Sequence, residues 1–313
     1  MILSPIMSYV VDKELGFPTP SEKEKINKAL KRYRYLLSKH PNRSDSPEIM
    51  FGIADLLVGR NNPGDYAEAM RLYKQIMMRS IPEYLRARTL VGRAELMIGS
   101  SGEFDEAIPL CEKAKKLLGP DLSEFFAAKT YVVEVELLIS RNQKGDWERA
   151  LKLISSLDRQ KKAHWYFKGR ALLSKAEITL YRKPKDLRSA LKACDAALKN
   201  LKPRLDDYFA NKGKILKAEI LCRREKKGDF ERAEKLLTEA IKMSRTYGDL
   251  TARAKLDMAA IVSHPTARKL LRQVDQMEGL DPYLIEKARQ TKQVLQDRKS
   301  AKKRRKTPRQ ARG

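Results

Sequence analysis

No run in this sequence approaches the roughly 18 consecutive apolar residues that a bilayer-crossing helix needs, so no transmembrane segment is expected. Met1 to Met7 are mostly apolar but lack a basic leader and a long apolar core, which makes a poor signal peptide. Only three cysteines occur, Cys111, Cys194 and Cys222, far apart and on apolar helical faces. They read as small core residues, not as a disulfide framework, and imply a reducing compartment: cytoplasmic, or nuclear if the source is eukaryotic. Alternating β-branched runs bounded by turns are missing too. Even Tyr131-Val132-Val133-Glu134-Val135-Glu136 sits inside a long helical period, so a nearly all-helical chain is expected.

The signatures of chemistry are equally scarce. The three histidines, His40, His164 and His264, are isolated from one another, and no His-x-x-x-His, Cys-x-x-Cys or His-Glu-x-x-His spacing exists. Neither a metal site nor a cofactor is expected. There is no phosphate-binding glycine loop before a lysine, no Gly-x-Ser-x-Gly elbow and no dinucleotide fingerprint. The acid pairs Asp105/Glu106 and Asp206/Asp207 fall at helix starts, where the helix dipole accounts for them. No catalytic residues are assigned, and the chain reads as a non-enzyme.

What the sequence does contain is one hexamer, repeated. Gly145-Asp146-Trp147-Glu148-Arg149-Ala150 recurs as Gly64-Asp65-Tyr66-Ala67-Glu68-Ala69, Gly102-Glu103-Phe104-Asp105-Glu106-Ala107 and Gly228-Asp229-Phe230-Glu231-Arg232-Ala233. A degraded copy runs from Pro184 to Ala190. Glycine can take the positive φ that ends one helix, and the acid can cap the next. The aromatic is expected to pack back onto the preceding helix, and the alanine to mark a close helix contact. Successive hinge alanines are 38, 43, 40 and 43 residues apart. A second small-residue mark, at Gly52, Gly92, Thr130, Gly169 and Gly213, advances in step at 40, 38, 39 and 44. Two marks moving together at about forty residues define a two-helix unit that buries its apolar face only against its neighbours.

With the second alanine at Ala114, Ala197 and Ala240, seven residues past the hinge alanine, this pattern resembles the tetratricopeptide repeat over roughly residues 45 to 262. The resemblance implies an all-α solenoid of about five to six helix-turn-helix repeats forming a right-handed superhelix. The units are longer than the usual ~34 residues, most simply through extra turns in the first helix. We divide the chain into an irregular lead-in (1–20), the repeat array (21–283, with a cap helix at 21–40 and repeats from about 45 to 280) and a basic C-terminal helix with a disordered tail (284–313). The capping helix opens at a Ser21-Glu22-Lys23-Glu24 box; the last helix is expected from about Pro282 to Lys299.

Charge is the remaining feature. Lysine and arginine number 66 against 40 acids, and 12 basic and 2 acidic residues lie between Leu284 and Gly313. Such a field favours anionic partners. In tetratricopeptide arrays the first helices line a concave groove, and the residue after the small mark faces it. By that resemblance the groove residues are Arg93, Tyr131, Arg170 and Lys214, with Ile53 as an apolar exception, Lys217 one turn on and Asn211 as an amide donor. The resemblance implies a scaffold or adaptor whose basic groove takes an acidic peptide or protein. A nucleic-acid-associated protein is the alternative, holding phosphates through the groove and the basic tail Lys302, Lys303, Arg304, Arg305 and Lys306. The triplet Trp165-Tyr166-Phe167 fits packing between units, or a stacking platform.

Overall fold

The computed structural model describes residues 20–60, 62, 64–98, 103–121, 123–201, 208–243, 248–277, 280 and 282–306, with side chains between Glu24 and Asp297, Pro282 apart. The lead-in before Pro20, the Gly102 hinge and the last seven residues lie outside these ranges. Fourteen helices are described: α1 (Pro20–Lys39), α2 (Ser46–Arg60), α3 (Asp65–Met77), α4 (Glu83–Leu96), α5 (Phe104–Leu118), α6 (Phe125–Arg141), α7 (Asp146–Arg159), α8 (Trp165–Arg182), α9 (Leu187–Leu201), α10 (Tyr208–Arg224), α11 (Asp229–Met243), α12 (Gly248–Ile261), α13 (His264–Asp275) and α14 (Pro282–Lys306). No strand occurs among the described residues. The chain divides into two compact units, 1–209 and 210–313.

In the first unit each helix packs on its neighbours in sequence, and the first helices of successive hairpins (α2, α4, α6, α8) also pack on one another. The hinge alanines Ala69, Ala107, Ala150 and Ala190 are completely buried, as the close-contact reading requires. The small mark works in the same way. A methyl group on Gly92 would stand 2.6 Å from Cζ of Tyr73, and one on Gly169 would stand 2.7 Å from Cγ of Leu201. A core of Leu30, Tyr33, Phe51, Leu57, Tyr73, Ile76 and their neighbours joins the cap helix α1 to the first two hairpins. The first helices of the third and fourth hairpins are longer than their partners, 17 residues against 14 in α6/α7 and 18 against 15 in α8/α9.

In the second unit Ala233 is likewise fully buried. There α12, α13 and α14 surround a separate cluster built from Leu256, Leu271, Val274, Leu284 and Leu295.

Three local readings change. Pro20, placed above in the irregular lead-in, is the first residue of α1, since the first helical position neither uses an N–H nor resists φ near −65°. The last helix continues past Lys299 to Lys306, so the stretch expected to lose order after Ser300 is helical as far as Lys306. Lysine and arginine are good helix formers, and the helix propagates without an apolar face. The third change concerns the hinge.

At the hinges the glycines do hold the left-handed conformation, with φ of 86° at Gly64, 88° at Gly145 and 81° at Gly228. The aspartate that follows caps nothing in its own helix. Asp65 instead accepts Arg60 Nε at 2.9 Å, Arg60 Nη2 at 2.6 Å and the backbone N–H of Asn62 at 2.8 Å. Asp146 repeats this with Arg141 (3.0 and 2.6 Å) and the N–H of Gln143 (2.8 Å). Asp229 does so with Arg224 (2.8 and 2.6 Å) and the N–H of Lys226 (3.0 Å). Each carboxylate thus clamps the end of the preceding helix, because a guanidinium fork five residues earlier outcompetes the helix's own N–H groups. The hinge aromatics stay partly in solvent: Tyr66 and Phe230 are 44% and 45% exposed. Trp147 donates Nε1–H to Asn142 Oδ1 at 2.5 Å and carries Arg182 over its ring at 4.6 Å.

Candidate partner-binding surface

The expected groove residues lie on the first helices of the hairpins. Arg93 on α4 is held by Glu106 at 3.1 Å, a carboxylate that is itself 62% exposed. Tyr131 on α6 is half-buried, with Lys115 Nζ 5.3 Å from its ring centre. Arg170 on α8 is only 6% exposed. Its Nη2 and Nε reach Glu136 at 2.7 and 3.3 Å, Glu95 Oε1 lies at 3.9 Å, and its guanidinium stacks over Phe209 at 4.1 Å. Ile53 is buried in the core. In the second unit Asn211 is fully buried on α10, Lys214 Nζ stands 3.8 Å from Glu239, and Lys217 is half-buried on the same helix.

Arg170 is brought together with partners that the sequence reading had not assigned. Lys129 bonds Glu95 at 2.9 Å, so Lys129, Glu95, Arg170 and Glu136 form one alternating ladder joining α4, α6 and α8. Burial disfavours the charge on Arg170, yet Glu136 and Glu95 hold its pKa above the ordinary guanidinium value. Burial likewise opposes the charge on Glu95, but Lys129 and Arg170 keep its carboxyl below the usual range. In the second unit Arg253 reaches Glu219 at 3.2 Å with the same 34-residue separation that relates Arg170 to Glu136. A recurring acid–guanidinium pair at that spacing was a signal available in the sequence.

A second centre lies between α5, α6 and α7. Glu134 on α6 is fully buried and meets Lys115 of α5 at 2.5 Å and Arg149 of α7, which also holds Glu112 at 2.5 Å. One carboxylate therefore ties three helices. Taken with the hinges, the described core encloses five acids, Asp55, Asp65, Glu134, Asp146 and Asp229, against three cations, Arg88, Lys129 and Arg170. All of these acids but Asp55 are paired with an arginine or lysine that is itself largely covered, so the described interior is close to charge-balanced and does not absorb the excess of +26.

Aromatic side chains open the first helices. Tyr84 on α4, Phe125 and Phe126 on α6, Tyr166 and Phe167 on α8, and Tyr208 and Phe209 at the start of α10 form a chain of edge-on ring contacts with centroids 4.9–6.3 Å apart. Tyr166 and Phe167 are buried, so the triplet serves packing between hairpins; Trp165 is half-buried and stacks on His164 at 5.7 Å. Arg88 enters this ridge with its guanidinium 4.2 Å from the centre of Phe51 and 4.4 Å from that of Phe126. The faces of the two rings supply part of the stabilisation that water would otherwise give.

Among the described residues no group of three or more His, Cys, Asp or Glu is placed to hold a metal ion. No described helix is long and apolar enough to cross a membrane. The basic run Lys302 to Lys306 ends α14, and its side chains lie outside the described residues.

Neither a protein-family model nor a curated protein sequence matches the chain. Solved structures do. Yeast Tom70 superposes with a TM-score of 0.54 at 20% identity, over 95% of this chain and 66% of its own. A signal-transduction ATPase with a tetratricopeptide repeat sensor from Pyrococcus horikoshii gives 0.52 at 15%, over 90% and 48%. The human IFIT1 dimer, solved with m7Gppp-AAAA, gives 0.51 at 15%, over 80% and 55%. The chain thus spans between about half and two thirds of the lengths of these proteins. At such identities the likeness speaks for the fold, which is that of a tetratricopeptide-like helical repeat protein.

Proposed function

We propose that this helical repeat protein is a non-catalytic scaffold that docks an anionic partner, in the first instance an acidic segment of another protein. The observation that carries the reading is the distribution of charge. The hinge clamps and the ladder between helices pair acids and cations one for one, so they leave the net cationic excess of the chain outside them. A protein surface with that field raises the local concentration of an oppositely charged partner and speeds its capture. Arg93 offers a specific handle, since its guanidinium is held by an exposed carboxylate that a partner's carboxylate can displace. Arg170 is enclosed by its own ladder and acts through the scaffold, not by contact.

The test is direct binding of the full chain to a surface-tethered acidic peptide and to its counterpart with every acid replaced by amide, at low and high salt. Capture of the acidic peptide, weakened by salt and by Arg93→Ala, is expected. Equal capture of both peptides overturns the reading. A second reading, association with nucleic acid, is favoured by the basic run that closes α14 and by the fold shared with IFIT1, whose structure contains a capped oligonucleotide.

A further inference from the structure

The described cations of the first helices and hinges are largely answered by acids; those of α13 are not. We infer that the outer face of α13 is a docking site for the phosphodiester backbone of nucleic acid. This goes beyond the acidic-peptide reading and stands on a different surface.

The helix is divided cleanly. Ala267, Leu271 and Val274 point into the cluster shared with α12 and α14, at 0, 5 and 2% exposure. On the opposite side Arg268, Lys269 and Arg272 are exposed and line a shallow recess with His264, Pro265, Gln273 and Gln276. These positions follow one another at alternating steps of one and three, which on a helix makes a continuous stripe about 18 Å long. The acids nearby are already engaged. Asp275, the one acid on α13, bonds Lys292 at 2.7 Å; Asp257 of α12 bonds Lys287 at 2.6 Å; Glu286 of α14 bonds Arg289 at 2.8 Å. Among the described residues no carboxylate lies within ion-pair reach of Arg268, Lys269 or Arg272.

The chemistry of the recess chooses its occupant. Two guanidinium forks and an ammonium supply the donors that phosphate oxygens accept, and the two glutamine amides add neutral donors of the kind that position a backbone. Apart from Pro265 and the His264 ring the lining has no apolar or aromatic anchor, whereas protein segments are held chiefly by such anchors seated in pockets. An open stripe without base-reading depth fits contact with phosphates irrespective of sequence. The last helix of the same unit, α14, ends on the run Lys302 to Lys306.

The experiment measures fluorescence anisotropy of a labelled mixed-sequence single-stranded RNA and a labelled DNA duplex with the full chain across a salt series. The variant R268Q/K269Q/R272Q changes only exposed side chains. It is expected to weaken binding of both probes at least tenfold and to make the log–log salt slope shallower by about 2 to 3. Arg272→Gln alone is expected to reduce the slope by about 1. The control K25Q/K31Q/R32Q removes the same charge from the exposed face of α1 and should leave affinity within about threefold. Equal losses in the two triple variants, no loss in the α13 variant, or no binding by the parent chain would each overturn the inference. So would polyglutamate of matched charge binding the α13 face as tightly as the RNA, which would assign the stripe to acidic peptides.

Discussion

Gly92 and Gly52 occupy the same register in successive first helices, and the structure predicts opposite outcomes for the same substitution. Gly92 faces Tyr73, whose hydroxyl donates to Asp55 Oδ1 at 2.5 Å in the core. An added methyl would stand 2.6 Å from Tyr73 Cζ and 2.7 Å from its hydroxyl oxygen, so the ring must move. Overpacking of this kind costs about 1–3 kcal/mol. Displacing the hydroxyl also strands a buried carboxylate oxygen, at about 1.5–3 kcal/mol for a bond to a charged group. The better helix propensity of alanine returns about 1 kcal/mol. Gly92→Ala should therefore destabilise by about 1.5–5 kcal/mol. At Gly52 the nearest atom to an added methyl is 3.6 Å away, an ordinary contact. Gly52→Ala should be neutral or stabilising by up to about 1 kcal/mol. Urea unfolding followed by circular dichroism measures both. Equal shifts of the two midpoints, or a stabilised Gly92→Ala, would refute the assignment of the small mark to close packing.

Further outcomes follow from the charged centres. Asp146→Asn keeps the size of the hinge side chain but removes the anion under Arg141; a loss of about 1–3 kcal/mol is expected in the same unfolding assay, and Asp229→Asn should match it because the geometry is the same. The carboxyls of Asp146 and Asp229 are held below the usual range first by their arginine bonds, and that of Asp65 by Arg60 and the Asn62 N–H against the opposing effect of burial. The unfolded chain binds protons first, so this stability is present above about pH 4 and is lost as pH falls through the lowered native values. His164 is depressed by burial, so a smaller loss should begin as pH drops below about 6.5, and His164→Phe should abolish that leg alone in urea midpoints taken across pH. Burial pushes the Cys222 thiol up to about 11, and Cys111 is fully buried and raised further; at pH 8 a thiol reagent should label Cys222 slowly and Cys111 only after denaturant is added, as peptide mass mapping would show.

The architecture was legible in the sequence because the features that define it are local. The hinge glycines, the buried alanines and the register of Gly92 and Gly169 are each set by backbone conformation or close approach, and few residue types satisfy either. The surface was less legible, because a long cationic side chain finds partners that only the fold brings near. Arg170 looked like a ligand-facing guanidinium and is instead enclosed by Glu136, Glu95 and Phe209, which come from three other helices, α6, α4 and α10. The arginine clamp was legible in principle. Arg60, Arg141 and Arg224 each stand five residues before a hinge aspartate, a pattern that reads as background in a chain so rich in arginine. The aromatic ridge hid for a similar reason: its members change type from Tyr84 to Phe126 to Tyr166, and only their place in the first turn is kept.

The two charged devices differ in what they do for binding. The hinge clamps repeat without regard to ligand: Arg60, Arg141 and Arg224 make the same bonds in separate hairpins, so each fixes the angle of its own helix pair. The ladder through Lys129, Glu95, Arg170 and Glu136 instead couples three hairpins, and its members are nearly dry, where an unpaired charge is costly. A partner approaching the first helices of this unit therefore meets side chains already ordered, and loses little entropy in fixing them. On the proposed scaffold reading, the ladder is a positioning element. Neutralising it with Glu136→Gln would loosen Arg170 and lower stability, while capture of an acidic peptide would fall only through that loosening. Removing the Glu106 carboxylate beside Arg93 should do the reverse: Glu106→Gln releases the Arg93 guanidinium from its acid and strengthens capture, with a smaller change in stability because Glu106 is itself 62% exposed.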